Sequence, residues 1–365
     1  MKLKILWSGK KMEDLMITTM PIKPYDKINI GLMIAPILCD VLGSILNCKK
    51  ILSVNLLHSF ENKQNDLQKY IDIIKKFDIN YNYIIKDIDY TSKYLEKLEE
   101  LYSKGFVNIK SGEIFRCECG KVEMTKSSVK YNKNGELYYW DNNKIICKCC
   151  NKECKKYIQK NLYLDIKTKL CQDISVSPIF LKKEFKDLMN KFVNNDVLIS
   201  KDRQKDYFLK IDGQKFNIDI DMLWMMFNQI EKSKNQILIA SNHQLYEMFI
   251  SNYINNIFEN KNVHYIATPY LVNNEQIDFS RKIFSKDNAR YKKLFVLYSL
   301  KWKYKTLNWN NGIIGLLNKL TEDEINELYN IILNLSFDKN ANIAENINQI
   351  LSNININNNI KVLRR

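Results

Sequence analysis

The sequence predicts an α/β fold with a parallel sheet built in two halves. Three observations predict it. Short apolar runs of strand length alternate with longer runs of helical period on both sides of a central segment. That central segment, residues 106–169, changes texture and holds most of the cysteines. From Ala289 onward the pattern is helical.

The elements follow in order. LMITTM, residues 15–20, suits a first strand, and over residues 28–47 Leu32, Met33, Ile37, Leu38, Val41, Leu42 and Ile45 recur with helical spacing. ILSVNLL, residues 51–57, reads as a second buried strand. Residues 65–77 and 91–103 read as amphipathic helices. The second carries Tyr94, Leu95, Leu98, Leu101 and Tyr102 on one face, and Gly105 stops it. In the central segment GEIFRC, GELYYW and KIICK are strand-prone pieces divided by NKNG and DNN turn signals. LKKEFKDLMNKFV, QILIA, LYEMFISNYINNIF and VHYIATPYLV then give helix, strand, helix and strand, a second αβ half. SNININNNIKVLRR reads as a low-complexity tail in which the helical region frays. The expected units are residues 1–105, 106–175, 176–288 and 289–365.

Composition narrows the function classes. At 365 residues, 45% hydrophobic and 27% charged, the chain matches globular averages and excludes wholesale disorder. Its longest apolar candidate, residues 28–46, is interrupted by Asn29, Gly31, Pro36, Asp40, Gly43 and Ser44, so no membrane partner and a cytoplasmic location are expected. The net charge of +15 suits an anionic partner, although a chain this rich in Lys, Asn and Ile reaches such a charge without binding anything. KKYIQKNLY and LKWKYK interleave basic and aromatic residues, as nucleic-acid surfaces and solvated basic faces both do. His264 reads as structural; His58 and His243 suit either a structural or a substrate-contacting role.

Six of the nine cysteines fall between Cys117 and Cys154. RCECGK and CKCCNK are tight cysteine turns about 30 residues apart, the arrangement in which two turns each lend two soft ligands to a tetrahedral Zn²⁺. The expected ligands are Cys117, Cys119, Cys147 and Cys150, with Cys149 and Cys154 as alternatives. A full set of thiolates leaves no open position, so the zinc is structural. Cys39, Cys48 and Cys171 read as core residues. The fold expected is therefore a Rossmann-like parallel sheet in two halves, split by a small zinc-binding β insertion and followed by a short helical C-terminal region.

Ile17-Thr-Thr-Met-Pro21, Tyr25, Asn29-Ile-Gly-Leu32 and Asp40 resemble the opening of the methionyl-tRNA synthetases of class I, where a strand runs into the HIGH motif at a helix start. The stretch YLEKLEELYSKG before the cysteines is similar to the helix preceding that family's zinc-bearing connective peptide. DVLISKDRQKDYF, Leu223-Trp224, Ile239-Ala-Ser-Asn-His243 and Asp287-Asn-Ala-Arg-Tyr291 follow in the family's order. The resemblance implies ATP with Mg²⁺ as substrate, handled by Asn29, Gly31, Leu32, Asn242, His243 and Arg281, with Asn29, Lys282 and Lys286 in catalytic roles. It implies an amino-acid pocket of Met20, Trp224, Asn55 and His58. It further implies transfer to tRNA or another acceptor carrying an amine or hydroxyl.

The departures are specific. Asn29 and Leu32 stand where the HIGH motif has its histidines, and Leu cannot donate a hydrogen bond. The KMSKS loop falls on residues 276–280 without a lysine, or on residues 282–286 with two. Asn242 stands for the ribose-binding Asp, and only about 75 residues follow Arg290. The expected function is thus adenylate formation on an amino acid, methionine by resemblance. A catalytically inactive relative that binds tRNA, an amino acid or a partner protein is the alternative.

Overall fold

The computed structural model describes residues 14–24, 30–57, 63–125, 137–142, 144–167, 170, 174–192, 196–202, 207–229, 233–258, 262–271, 286–300, 302, 306–307, 311–338 and 341–364. The first half runs β1 (Leu15–Thr19), α1 (Ile30–Ile45), β2 (Lys49–Val54), α2 (Lys63–Lys76), β3 (Tyr83–Lys86) and α3 (Thr91–Ser103). Gly105, at φ +69°, ends α3, and its N–H donates to Tyr102.

The insertion follows. β4 (Val107–Arg116), β5 (Glu123–Thr125), β6 (Tyr138–Asp141), β7 (Lys144–Cys147) and β8 (Lys155–Asp165) are its strands, and β4 pairs antiparallel with β8 over its whole length. The second half contains β9 (Ser175–Ser177), α4 (Leu181–Phe192), β10 (Asp196–Leu198), the hairpin β11 (Phe208–Ile211) and β12 (Gln214–Asn217), α5 (Ile220–Met225), β13 (Asn235–Ser241), α6 (Leu245–Phe258), β14 (Asn262–Thr268) and β15 (Tyr270–Leu271). Then come α7 (Ala289–Ser299), β16 (Thr306–Leu307), α8 (Asn311–Leu317), α9 (Glu322–Leu333), α10 (Ile343–Asn353) and α11 (Ile356–Leu363).

The main sheet has six strands in the order β3-β2-β1-β13-β14-β9, and every neighbouring pair is parallel. Its central strands β1, β13 and β14 are buried almost throughout, which explains apolar runs such as LMI and ILIA. On β1 the two-residue period sends Leu15 and Ile17 to the core beneath α1, and Met16 and Met20 to the opposite core beneath α3, α5 and α6. β13 repeats the division, with Ile237 and Ile239 on the first side and Leu238 and Ala240 on the second. α7 to α10 close over the first core beside α1.

The chain end differs from its sequence reading. The stretch expected to fray continues as α10 and α11, because Asn342 and Asn355 cap these helices with side-chain acceptors. Asparagine lowers helix propensity inside a helix, yet it is a preferred residue at the cap. Ile343, Ile347, Ile350, Leu351 and Ile354 supply the buried stripe.

Candidate active site and metal centre

The strand order reverses where β1 meets β13, and in parallel sheets of this kind ligands bind beyond the C-terminal ends of the strands at that point. The register places Thr19 beside Ile239, and Met20 donates to the Ile239 carbonyl at 2.8 Å. Met20 is buried. The chain then turns along β2: Ile22 donates to Ser53 at 3.0 Å, and Asn55 donates back to Ile22 at 2.8 Å. Trp224 is almost fully buried, and its Nε1 donates to the Pro21 carbonyl at 3.0 Å. Met20, Asn55 and Trp224, three of the residues expected to line an amino-acid pocket, therefore converge on the segment that leaves β1.

Two helical N-termini flank the same end of the sheet. α1 begins at Ile30, so Gly31 and Leu32 lie in its first turn. Beyond β13, Ser241 caps a helical turn, Asn242–Gln244, that leads into α6, in a capping box with Gln244. His243 Nδ1 lies 2.8 Å from the Ser241 hydroxyl, and Asn242 is buried. Exposed N–H groups and aligned peptide dipoles make such termini receptive to anions.

Asp87 belongs to this geometry although the sequence reading passed over it. Fully buried at the end of β3, its Oδ1 accepts from the N–H groups of Leu56 (2.7 Å) and Leu57 (3.2 Å) and so holds the turn carrying Asn55. An acid directly after the strand run YIIK was the available signal.

Asn29, His58, Arg281 and Lys282 lie outside the described residues. Lys286 is exposed, with its ammonium 5.6 Å from the ring of Tyr291, whose hydroxyl donates to Asn318 in the helical region. His264 is structural: it is buried between the hydroxyls of Ser175 (2.8 Å) and Ser177 (3.0 Å), and burial lowers its pKa to about 3. Among the isolated cysteines, Cys39 is buried, Cys48 is half-buried and Cys171 lies outside the described residues.

The insertion gathers Cys117, Cys119, Cys147 and Cys150 so that their sulfurs lie within 4.8 Å of one another. Both turns have the required backbone: Gly120 has φ +70° and Asn151 φ +52°. The N–H of Val122 points to Cys117 Sγ at 3.2 Å, and that of Cys149 to Cys147 Sγ at 3.4 Å. Burial raises the Cys117 thiol, but the N–H groups of Val122 and Lys121 and the adjoining thiols outweigh it and hold it below its ordinary value. The Lys152 N–H does the same for Cys150. Four soft donors this close, with N–H groups aimed at two sulfurs, could hold a tetrahedral metal ion. Tyr138, Ile145, Val122 and Cys154 pack around the cluster.

No protein-family model and no curated protein matches the sequence. Solved structures do match the fold. The methionyl-tRNA synthetase of Mycobacterium tuberculosis bound by methionyl-adenylate superposes with a TM-score of 0.61 at 9% identity, over 87% of this chain and 71% of that one. Its free state gives 0.62 at 10% identity, over 87% and 68%. The chain has the fold of a class I aminoacyl-tRNA synthetase core as seen in the methionyl-tRNA synthetases.

Proposed function

We propose that this protein binds ATP and an amino acid in the crevice beyond β1 and β13 and activates the amino acid as its adenylate. The adenylate would then pass to tRNA or another acceptor bearing an amine or hydroxyl. The observation that carries the reading is convergence: Met20, Asn55 and Trp224 meet at the end of β1, between the helical N-termini that begin at Ile30 and Asn242. In this chemistry a carboxylate oxygen attacks the α-phosphorus of ATP, and pyrophosphate leaves. Mg²⁺ travels with the triphosphate. The N-terminus of α1, with the backbone of Gly31, would face the phosphates, while Asn242 and His243 would face the ribose. Met20 and Trp224 would shape the amino-acid pocket, and methionine is the side chain that the fold neighbours suggest. Asn29, Arg281, Lys282 and Lys286 remain the triphosphate contacts inferred from sequence. Zn²⁺ on the four cysteines would cross-link the insertion and take no part in the reaction.

One observation favours a second reading, a binding protein in which adenylation is lost. Leu32 sits in the first turn of α1, where a transition-state donor would be needed, and such a donor is typically worth about 10²–10³ in rate. Amino-acid-dependent exchange of labelled pyrophosphate into ATP decides between them. The enzyme reading expects exchange with one amino acid, methionine first, and a gain on combined Asn29→His and Leu32→His substitution. No exchange with any of the standard amino acids, in either form, rejects it.

A further inference from the structure

β10 is the edge strand of a four-stranded sheet in the order β10-β8-β4-β5, and it pairs with β8 through Asp196, Val197 and Leu198. The chain leads from this strand toward α5. Ile199 donates to the Leu162 carbonyl at 3.0 Å and accepts from the Asp219 N–H at 2.9 Å, where α5 and its Trp224 begin. The seating of β10 on β8 therefore bears on both parts of the molecule.

The register sets a like-charge pair at the first rung. Asp196 lies directly opposite Asp165, an arrangement that destabilises an antiparallel pair. Lys110 of β4 serves both carboxylates, its ammonium 2.6 Å from Asp165 and 2.8 Å from Asp196. The second Asp165 oxygen accepts from Asn108 Nδ2 at 2.6 Å. Among the described residues, the other titratable groups facing the pair are Tyr163 of β8, a phenol that burial pushes up, and Lys167 just beyond β8. One ammonium shared by two opposed carboxylates leaves a negative charge over, whereas Glu118 nearby holds two lysines.

A proton resolves the excess. Two carboxylates gathered on one ammonium are close enough to share it, so that Asp196 donates to Asp165 while Lys110 and Asn108 keep Asp165 ionised. Burial and then Asp165 raise Asp196 above its ordinary value, against the pull of Lys110. Burial also acts to raise Asp165, but the hydrogen bonds from Asp196 and Lys110 outweigh it and hold Asp165 low. A proton held more tightly in the folded chain stabilises it at low pH, and that contribution is lost as the pH rises through the folded pKa.

We propose that Asp165, Asp196 and Lys110 form a proton-operated clasp: with both carboxylates ionised β10 is held loosely at its first rung, and one shared proton closes it onto β8. The clasp stands whether or not the protein activates an amino acid.

Hydrogen–deuterium exchange of the full chain, read by mass spectrometry on the peptide over residues 196–199, tests it at about pH 7, 6 and 5 after correction for intrinsic rates. Protection is expected to rise about two- to fivefold from about pH 7 to about pH 5, the scale of one cross-strand contact. Asp196→Asn, which keeps a donor without the charge, is expected to show the high protection at every pH. Lys110→Met should lower protection at about pH 7 and enlarge the pH effect. Circular dichroism establishes that each variant is folded. Flat protection in the wild type, or a pH dependence that survives in Asp196→Asn, overturns the proposal. So does a Lys110→Met variant that exchanges like the wild type, or an equal change in the peptide of β13, which carries no titratable side chain.

Discussion

Lys293 and Asp40, 253 positions apart in the chain, form an ion pair of 2.7 Å with both side chains buried. The second Asp40 oxygen accepts from Lys50 at 2.8 Å. Lys293 also donates to the Asp78 carbonyl after α2 and to Tyr329 of α9 at 3.4 Å. A single carboxylate in α1 thereby ties the helical C-terminal region to the first half of the sheet. Asp40→Asn leaves the Lys293 ammonium buried without its counter-charge and is expected to cost about 3–5 kcal/mol. Asp40→Leu with Lys293→Met should recover much of that loss. Urea midpoints of the two variants check it; equal losses would show that the pair itself contributes net stability.

Gly43 serves this pair. A Cβ built there would meet Lys50 Cγ at 2.4 Å and Ile17 Cγ2 at 2.9 Å, so the lysine stem crosses α1 where a side chain is missing. Gly43→Ala is therefore expected to destabilise, against the ordinary gain of about 0.5–1 kcal/mol for that change within a helix. A thermal melt gives the sign directly.

His264 supplies a pH dependence. Its folded pKa is about 3, against about 6.5 when unfolded, so the unfolded chain binds the extra proton between those values. The stability it contributes is complete above pH 6.5 and declines as the pH falls toward 3, by about 1.4 kcal/mol per unit. Chemical denaturation at about pH 7.5, 6 and 5, roughly bracketing the unfolded histidine, should show a slope that His264→Asn flattens.

Trp224→Phe removes the donor to the Pro21 carbonyl but keeps an aromatic ring in the core. Stability should fall by about 1 kcal/mol, and amino-acid affinity should fall while ATP affinity holds. Isothermal titration with each ligand distinguishes a pocket residue from a purely structural one.

Metal removal gives a local outcome. The purified chain is expected to carry one zinc, released by chelation together with thiol modification. Cys119→Ser or Cys150→Ser should lower the zinc content, whereas Cys39→Ser should not, since Cys39 Sγ lies against the carbonyls of Ile17 and Ile51 at 3.6 Å. The main sheet contains none of the four ligands, so its far-ultraviolet signal should survive the loss.

What was legible in the sequence followed local period and turn chemistry. The helix over residues 91–103 appears as read, because Tyr94, Leu98 and Leu101 repeat at helical spacing and Gly105 closes it. The thiols of Cys117, Cys119, Cys147 and Cys150 meet as their turn spacing implied. KKYIQKNLY was read as a surface; its second half is a buried strand, since alternation alone could not reveal that β4 and β10 flank it. The hairpin at Asp212-Gly213 carried an Asp-Gly signal, with both residues at positive φ, but went unread inside a longer stretch. Lys293 carries no signal of its own in ARYKKLF, and no local pattern points it at a carboxylate 253 residues away. The acid after YIIK was visible in the sequence, but its partners, the N–H groups of Leu56 and Leu57, were not, because they follow another strand.

A crystal structure of the protein grown or soaked with ATP and methionine tests the proposed adenylation site directly. The nucleotide is expected beyond the ends of β1 and β13, its phosphates at the first turn of α1 by Gly31 and its ribose by Asn242, with the amino acid against Trp224. A nucleotide bound elsewhere, or a crevice that stays empty at saturating ligand, would contradict it.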